Sequence, residues 1–264
     1  MRFGIRLTTI FLLLESAPAL AWGLEGHQIV AAIAARELTP IARAEVSSLL
    51  GGEADVMMVL EASWADDIRH QRPQTQSWHY VNIELGSRGY VAARDCPDDN
   101  CVVAQIDHDA SVLVDPRAPR QAKTQALLFL IHFVGDVHQP LHAADHNDRG
   151  GNEQKVRLGS KHLNLHEVWD QDVVTAMGYD SERIAGDIEA HLTPRQKAQI
   201  ESGTPADWAN ESFMLAARVI YAALPASGSI TLPPDYPRRE NGVVREQLTK
   251  AGLRLAMMLN RIFG

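Results

Sequence analysis

Apolar residues recur along most of this chain every three or four positions, which is the period of a helix with one buried face. Thr39 followed by Pro40 is typical of a helix start, with an N-cap and a proline in the first turn. The long helical patterns cover residues 25–37, 54–71, 118–139, 205–224 and 245–263. The pattern therefore predicts a mainly α-helical protein.

Strand-like patterns occur in only two places. Residues 78–85 (WHYVNIEL) favour a strand, and residues 153–165 (EQKVRLGSKHLNL) favour a hairpin with Gly159-Ser160 as its turn. No linker rich in proline, glycine or serine and no internal repeat divides the chain. We therefore expect a single-domain helical bundle with a small β element.

The first 21 residues have the pattern of a secretory signal peptide. Two arginines precede an apolar run at 7–14, and the sequence ALA at 19–21 fits a cleavage site. The run is far shorter than the roughly 20 residues of a membrane-spanning helix. We predict removal of residues 1–21, a mature domain of residues 22–264 without a membrane anchor, and a secreted or periplasmic location.

The net charge limits how this chain could bind nucleic acids or other phosphates. The formal charge is −8, whereas nucleic-acid-binding proteins usually show a basic face. Any binding of phosphate would therefore need a positive charge that lysine and arginine do not supply.

The two cysteines, Cys96 and Cys101, favour a small disulfide loop in an exported protein. A zinc-binding thiolate pair is the weaker alternative, because no second cysteine pair completes it.

The helix predicted at 118–139 leads into a series of histidines and aspartates. His132 and Asp136 are four residues apart, so they share one helix face, and His166 and Asp170 repeat the spacing. Polar groups against an apolar helix face cost free energy unless they are paired or bind a metal. Such a pair alone more often indicates an interaction on a helix surface. The mixture of imidazoles and carboxylates without thiolates, however, suits zinc.

Six short motifs carry a resemblance to a known family. In order they are WGLEGH, SWAD, WHYVN, HFVGDVHQPLH, GGN and NLHEVWD, and they lie within residues 22–170. This series resembles the zinc-dependent single-strand nucleases of fungi and plants, the S1/P1 nuclease family. The resemblance implies a helical domain with three Zn²⁺ in a cleft and a short cystine loop.

The resemblance also implies the ligands of the three ions. They are Asp66, His79, His132 and Asp136 for the first; His27, Asp136 and the amino nitrogen and carbonyl oxygen of Trp22 for the second; and His142, His166 and Asp170 for the third. Asp136 would bridge the first two ions, which would share a hydroxide. The amine of Trp22 can be a ligand only after cleavage, because a peptide nitrogen cannot serve. The other histidines match no ligand position.

The activity implied is endonucleolytic cleavage of RNA and single-stranded DNA to 5′-nucleotides, with removal of 3′-phosphates from nucleotides. The bridging hydroxide would attack phosphorus with Asp66 positioning it, and the third zinc would stabilise the leaving oxygen. Arg69 would stabilise charge and Asn152 would contact the phosphate. Without the resemblance, they would be a surface arginine and a turn asparagine.

Base recognition is where the sequence departs from the family pattern, which more often has phenylalanine at the position of Tyr80 and aspartate at that of Asn82. Tyr80 would stack on a base and Asn82 would contact a base edge. The plainer interpretation of both is a pair of strand residues with no ligand. We expect nucleic acids and nucleotides as substrates, no protein partner, and a monomer.

Two alternatives remain open on the sequence. A zinc phospholipase C is a related helical protein with three zinc ions, but it typically has glutamate where Asp170 stands, and the GGN motif favours the nuclease. A non-catalytic zinc-binding protein would surround its ions completely with ligands. The set His142, His166 and Asp170 instead leaves a position open.

Overall fold

A computed structural model describes residues 22–225 and 229–264, so the predicted signal peptide lies outside the described residues. The α-helices are α1 Leu24–Arg36, α2 Pro40–Leu50, α3 Ala54–Leu60, α4 Trp64–Asp67, α5 Ala92–Asp95, α6 Val102–Val114, α7 Arg120–Asp136, α8 Leu165–Glu167, α9 Val173–Thr175, α10 Ser181–Ala190, α11 Pro194–Ile200, α12 Pro205–Leu215 and α13 Tyr236–Phe263. The strands are β1 Lys155–Leu158, β2 Lys161–Asn164 and β3 Ile230–Leu232. The predicted mainly α-helical domain with a small β element is confirmed. Within these ranges, no helix is long and apolar enough to cross a membrane.

Shorter helical turns connect several of these elements. The 3₁₀ segments are Ile68–His70, Pro73–His79, Pro97–Asp99, Pro140–His142 and Tyr221–Ala223. The π-helical segments are Val168–Asp172 and Ala216–Ile220. The helix predicted over 205–224 therefore continues past Leu215 as a π-helical and then a 3₁₀ segment to Ala223, with a change in hydrogen-bonding pattern at Leu215.

Two helices form the centre of the molecule. On α1, every residue from Ile29 to Ala35 is at most 1% exposed, and the second half of α7 is buried as far as Asp136. A helix that is apolar on all sides packs inside a protein rather than on its surface. α1 contacts α3, α7, α10 and α13, so side chains on α1 and α7 are held by rigid packing.

The sheet extends the predicted hairpin by one strand. β1 pairs antiparallel with β2, with Lys155 opposite Asn164, which confirms the hairpin. Gly159 occupies the turn with a φ of +60°, in the left-handed region where glycine meets no steric cost. β3 pairs parallel with β1 and was not predicted, because three residues are too few to give a periodic pattern.

The strand predicted at 78–85 does not form. The first residues of that segment end the 3₁₀ turn Pro73–His79, and the following residues run extended beside a loop. The amide of Val81 donates to the His142 carbonyl at 2.8 Å, and the amide of Leu85 donates to the Asp145 carbonyl at 2.8 Å. The pairing includes a single bridge, between Glu84 and Asp145, because the partner is a loop rather than a strand.

The cysteines form the predicted disulfide. Cys96 and Cys101 are bonded, with Cα atoms 5.3 Å apart, and both are buried. The alternative of a thiolate zinc pair is therefore excluded for these residues.

The carboxylate of Asp109 on α6 should make stability depend on pH. Its Oδ2 has no hydrogen-bond partner among the described residues, and burial raises the pKa of the carboxyl to about 8. In the unfolded chain the pKa of an aspartate is about 3.9, so between about pH 4 and pH 8 the Asp109 carboxyl is protonated in the folded protein and ionised in the unfolded chain. The free energy of unfolding therefore decreases as pH rises through this range. We expect Asp109→Asn to raise the melting temperature at pH 8 by on the order of 5 °C, but little at pH 4.

Thermal unfolding at several pH values checks this expectation. Glu45→Gln, at an exposed position on α2, is the matched control that removes one carboxylate without any burial. An equal effect of Asp109→Asn at both ends of the pH range would show that Asp109 is not protonated on folding.

Candidate metal centre

Five buried side chains converge where α1, α4 and α7 meet the 3₁₀ turn that ends at His79. They are His27, Asp66, His79, His132 and Asp136, called here the five-residue cluster, and each is at most 8% exposed. Asp136 is central to it. Its Oδ2 lies 2.9 Å from His79 Nδ1 and 3.3 Å from His132 Nε2, and its Oδ1 lies 3.6 Å from His27 Nε2. Asp66 Oδ1 lies 3.4 Å from His132 Nε2.

A second group adjoins the first. His142, His166 and Asp170, called here the three-residue cluster, are also buried. The Nε2 atoms of His142 and His166 are 3.1 Å apart, and His166 Nε2 is 3.2 Å from Asp170 Oδ2. Asp136 Oδ1 lies 3.4 Å from His142 Nδ1, so the two clusters share one continuous site.

Backbone carbonyls fix the orientation of three imidazoles. His132 Nδ1 donates to Ala62 O at 2.8 Å, His142 Nδ1 to His79 O at 2.8 Å, and His166 Nδ1 to Gly150 O at 2.6 Å. Because a carbonyl can only accept, Nδ1 of each of these rings carries a proton. Burial lowers the pKa of His142 and of His166, so both rings are neutral and their Nε2 atoms keep a lone pair. His142 and His166 then direct two lone pairs at each other, an arrangement that a shared cation stabilises.

The carbonyl of Ala62 is available because the helix predicted over 54–71 is interrupted. The chain forms α3, then a turn, then α4, and the amide of Asp66 donates to Ser63 O rather than to Ala62 O. The interruption thus does two things: it turns Asp66 toward the cluster and leaves the Ala62 carbonyl for His132. The prediction of a continuous helix over 54–71 is therefore wrong, and the interruption is what places Asp66 and the Ala62 carbonyl in the site.

Unsatisfied ligand atoms provide the test of whether a metal fits. Buried polar atoms are normally hydrogen-bonded. Among the described residues, the buried atoms without a hydrogen-bond partner include both ring nitrogens of His27, Nε2 of His79 and of His132, Asp136 Oδ1 and Asp170 Oδ2. Two ligands that each lie about 2 Å from one tetrahedral ion are about 3.3 Å apart, close to the spacings in both clusters.

Three groups of side chains could therefore hold metal ions. They are His27 with Asp66 and His132, His79 with His132 and Asp136, and His142 with His166 and Asp170. The third group is the predicted one. The first two divide the five-residue cluster differently from the prediction, since His27 lies near Asp66 and His132 as well as Asp136. All eight predicted side-chain ligands are thus brought together, while their assignment to individual ions stays a prediction.

The charges of the five-residue cluster favour a cation. Burial lowers the pKa of His132, but Asp136 and Asp66 outweigh this effect and raise it to about 10. Burial raises the pKa of Asp66, but His132 and Arg69 outweigh it and hold that pKa below its ordinary value. The two carboxylates therefore stay ionised and attract positive charge between them.

The three-residue cluster is neutral by comparison. Burial and the neighbouring His142 lower the pKa of His166 to about 3, so its imidazole is uncharged at neutral pH, as a metal ligand must be. Burial raises the pKa of Asp170 well above its ordinary value. A carboxylate in this position needs a cation to be ionised.

Trp22 lies between the two clusters. Its indole is fully buried and donates to Gly135 O at 2.9 Å, next to Asp136, and the following amide, of Gly23, donates to Asp170 O at 2.8 Å. Gly135 has no room for a side chain, since a Cβ there would be 2.9 Å from His27 Nδ1. Trp22 is thus held beside the predicted ligands, and the role of its amine stays a prediction.

The predicted catalytic and substrate-binding residues have defined positions. Arg69 Nη2 is 3.0 Å from Asp66 Oδ1. Asn152 Nδ2 donates to Arg149 O at 2.8 Å, in the turn that carries Gly150. Tyr80 is 36% exposed and lines a groove of about 560 Å³, and Asn82 is exposed. Their contacts with substrate stay predictions.

Gln139 is a residue of the site that the sequence did not reveal. It is fully buried, its Nε2 donates to Asp170 Oδ1 at 2.6 Å, and its Oε1 accepts from the Leu141 amide at 2.6 Å. It therefore orients a predicted ligand. The only sequence signal is its position between His138 and Pro140, within the run of candidate ligands.

The remaining histidines lie outside the three candidate groups, as expected. His138 is the buried one. Its Nδ1 donates to Val134 O at 2.7 Å and its Nε2 accepts from Arg254 at 2.9 Å, so both nitrogens are satisfied without a metal. Arg254 in turn pairs with Glu211 at 2.8 Å.

The chain is similar to known nucleases over nearly its whole described length. A sequence model of the family described as S1/P1 Nuclease matches residues 22–264. The chain is 33% identical to Endonuclease 4 of Arabidopsis thaliana over 271 residues, with 93% of this chain and 90% of that protein covered. It is 27% identical to Nuclease S1 of Aspergillus oryzae, with 91% of each covered, and 28% identical to Nuclease P1 of Penicillium citrinum, with 92% and 98% covered. The family match begins at Trp22 and includes every candidate ligand.

Proposed function

The chain belongs to the S1/P1 nuclease family, and we propose that it is a secreted, zinc-dependent endonuclease. It hydrolyses phosphodiester bonds of RNA and single-stranded DNA to 5′-nucleotides and also removes 3′-phosphates from nucleotides. The observation that carries the proposal is the convergence of eight buried imidazole and carboxylate side chains, with unsatisfied ligand atoms, in a chain that is similar to named nucleases.

The proposed cofactor is three Zn²⁺ per chain, held as the resemblance implies. Imidazole nitrogen and carboxylate oxygen without thiolates suit this ion. Bound Zn²⁺ would polarise the phosphate oxygens as a Lewis acid and would lower the pKa of a bound water molecule to about 7. Because the formal charge of the chain is −8, the bound ions would supply most of the positive charge that a phosphate group meets.

Three side chains would act on the phosphate and the attacking water. Asp66, kept ionised by His132 and Arg69, would accept a hydrogen bond from the water and orient it toward phosphorus. Arg69, next to Asp66, would donate to the phosphate oxygens as they gain charge. Asn152 uses one amide proton for Arg149 O, so its second is available for a phosphate oxygen.

Removal of residues 1–21 is part of the proposal, because only cleavage gives Trp22 a free amine. It is supported by the signal-like sequence, by the start of the family match at Trp22, and by the buried position of Trp22 between the clusters. The proposed active unit is a monomer, since all eight side-chain ligands come from one chain.

Metal counting combined with substrate comparison tests the proposal. The processed protein is purified without chelator, its zinc is counted, and it is offered RNA, single-stranded DNA, a 3′-nucleotide and phosphatidylcholine. We expect about three zinc ions and release of 5′-nucleotides from both nucleic acids. Hydrolysis of phosphatidylcholine alone would identify a phospholipase C, and bound zinc without any hydrolysis would indicate a binding protein.

Recognition of bases is expected to depend on Tyr80, which is exposed beside the ligand His79. Base stacking contributes about 1–3 kcal/mol per base, so Tyr80→Ala should raise KM on single strands roughly tenfold to a hundredfold. Tyr80→Phe should be nearly neutral because the ring face binds. Steady-state kinetics on the four homopolymers measure both variants, and Tyr179→Ala, at a tyrosine that is 75% exposed, is the matched control.

The proposed contact of Asn82 with a base edge can be tested by the preference among the same four homopolymers. Asn82 has both a donor and an acceptor, whereas a carboxylate can only accept. Asn82→Asp should therefore shift preference toward bases that present donors, such as guanine. Unchanged KM values for Tyr80→Ala on all four homopolymers would place base stacking elsewhere.

A further inference from the structure

The turn at residues 147–151, called here the 147–151 turn, has an unusual backbone. Four of its residues have positive φ: Asn147 at 55°, Arg149 at 57°, Gly150 at 63° and Gly151 at 83°. Residues other than glycine rarely adopt this region, and arginine does so less readily than asparagine. Such a conformation persists only where the surrounding contacts determine it.

Two carboxylates supply those contacts. Asp145 Oδ1 accepts from the amides of Asp148 and Arg149, both at 3.0 Å. Asp148 Oδ1 accepts from the Gly151 amide at 2.9 Å. The 147–151 turn is therefore folded around acceptors at both of its ends.

Tyr221 holds the second carboxylate from outside the turn. Its hydroxyl lies 2.9 Å and 3.0 Å from the two oxygens of Asp148, which is 8% exposed. The tyrosine belongs to the 3₁₀ segment Tyr221–Ala223, 73 residues further along the chain, and its ring packs near His146 with centroids 5.3 Å apart. A hydroxyl that donates to a buried carboxylate makes a strong, charge-assisted hydrogen bond.

The 147–151 turn contacts the metal centre through two carbonyl groups. Gly150 O accepts from His166 Nδ1 at 2.6 Å, and Gly151 O accepts from the His166 amide at 3.4 Å. A Cβ on Gly150 would be 2.4 Å from Leu141 O, so the backbone is pressed against its neighbour and the carbonyl direction is fixed. The partner of the second ring nitrogen determines how a histidine is presented to a metal.

We infer that Tyr221 is a positioning residue for the three-residue cluster. It fixes Asp148, Asp148 fixes the 147–151 turn, and Gly150 in that turn orients His166. The inference rests on the proposed function in one respect, that the three-residue cluster binds a metal. Tyr221 itself touches neither metal nor substrate.

Tyr221→Phe tests the inference, because it keeps the ring and removes only the hydroxyl. Partners of ligand histidines typically contribute tenfold to a hundredfold to metal affinity, and Tyr221 acts one step further away. We expect affinity for one zinc per chain to fall about tenfold, so that a competing chelator removes one ion while two remain. Added zinc should restore the lost activity.

Matched variants separate positioning from a general loss of structure. Tyr179→Phe removes a hydroxyl from an exposed ring and should retain all its zinc as the wild type does. In a His166→Ala background, Tyr221→Phe should cause no further loss of zinc, whereas in a His27→Ala background its effect should be added to the existing one.

The outcomes are distinguishable from failure of the proposed function. A wild-type protein without zinc overturns the proposed function itself. If the wild type holds three zinc ions and Tyr221→Phe retains them with unchanged affinity, only the role of Tyr221 is wrong. Equal weakening of all three ions would likewise overturn it, by showing a structural role for the hydroxyl.

Discussion

Removal of the proposed zinc ions by a strong chelator is expected to abolish hydrolysis of every substrate and to lower the melting temperature in the same titration. The reason is the density of unsatisfied atoms in the two clusters. Without metal ions, both ring nitrogens of His27, Nε2 of His79 and Asp170 Oδ2 are buried without a hydrogen-bond partner among the described residues. A ligand that binds only the folded state stabilises it by about 2.7 kcal/mol at a hundred times its Kd, and here there would be three such ligands.

The measurement is thermal unfolding and RNA hydrolysis on the same samples, with zinc added back as the reversibility control. A histidine pair gives a matched comparison within the chain: His132→Gln should lose zinc and activity, whereas His162→Gln, at an exposed position on β2, should lose neither. An enzyme that remains fully active in excess chelator would end the metal hypothesis.

The main features of the fold could be predicted from hydrophobic periodicity, because a long helix repeats the same apolar spacing over many residues. The buried helix that carries His132 and Asp136 was predicted over residues 118–139 and observed as Arg120–Asp136. Short elements were missed for the opposite reason. β3 and the 3₁₀ turn ending at His79 are defined by what they pack against, which a sequence pattern does not contain.

The eight side chains that the structure brings together could be predicted from the sequence, because the ordered motifs of the family resemblance mark their positions. Their supporting partners could not. Ala62 orients His132 through a carbonyl that any residue possesses, so no side chain marks the position. Gln139 and Tyr221 are ordinary buried or half-buried residues whose role depends on tertiary contacts. The residues that orient the candidate ligands can therefore be found only from the structure, whereas the candidate ligands themselves follow from the sequence motifs.

A residue retained before Trp22, such as an initiating methionine or a tag, is expected to reduce activity about a hundredfold or more while the fold stays intact. The proposal makes the amine of Trp22 a ligand of one zinc, and a peptide nitrogen has no lone pair available for that bond. Removal of a mere partner of a ligand typically costs tenfold to a hundredfold, so loss of the ligand itself should exceed this range. The indole would still donate to Gly135 O, so packing should be preserved.

Zinc counting and turnover on the extended and the processed protein measure this effect, and two controls isolate the amine. A tag of equal length after Gly264 should have no effect, because it leaves Trp22 free. Trp22→Phe with correct processing keeps the amine but removes the hydrogen bond to Gly135 O, so it should lower stability and still retain three zinc ions. If instead the extended protein turns over as fast as the processed one, Trp22 is a packing residue, and the zinc beside His27 needs another ligand from the chain.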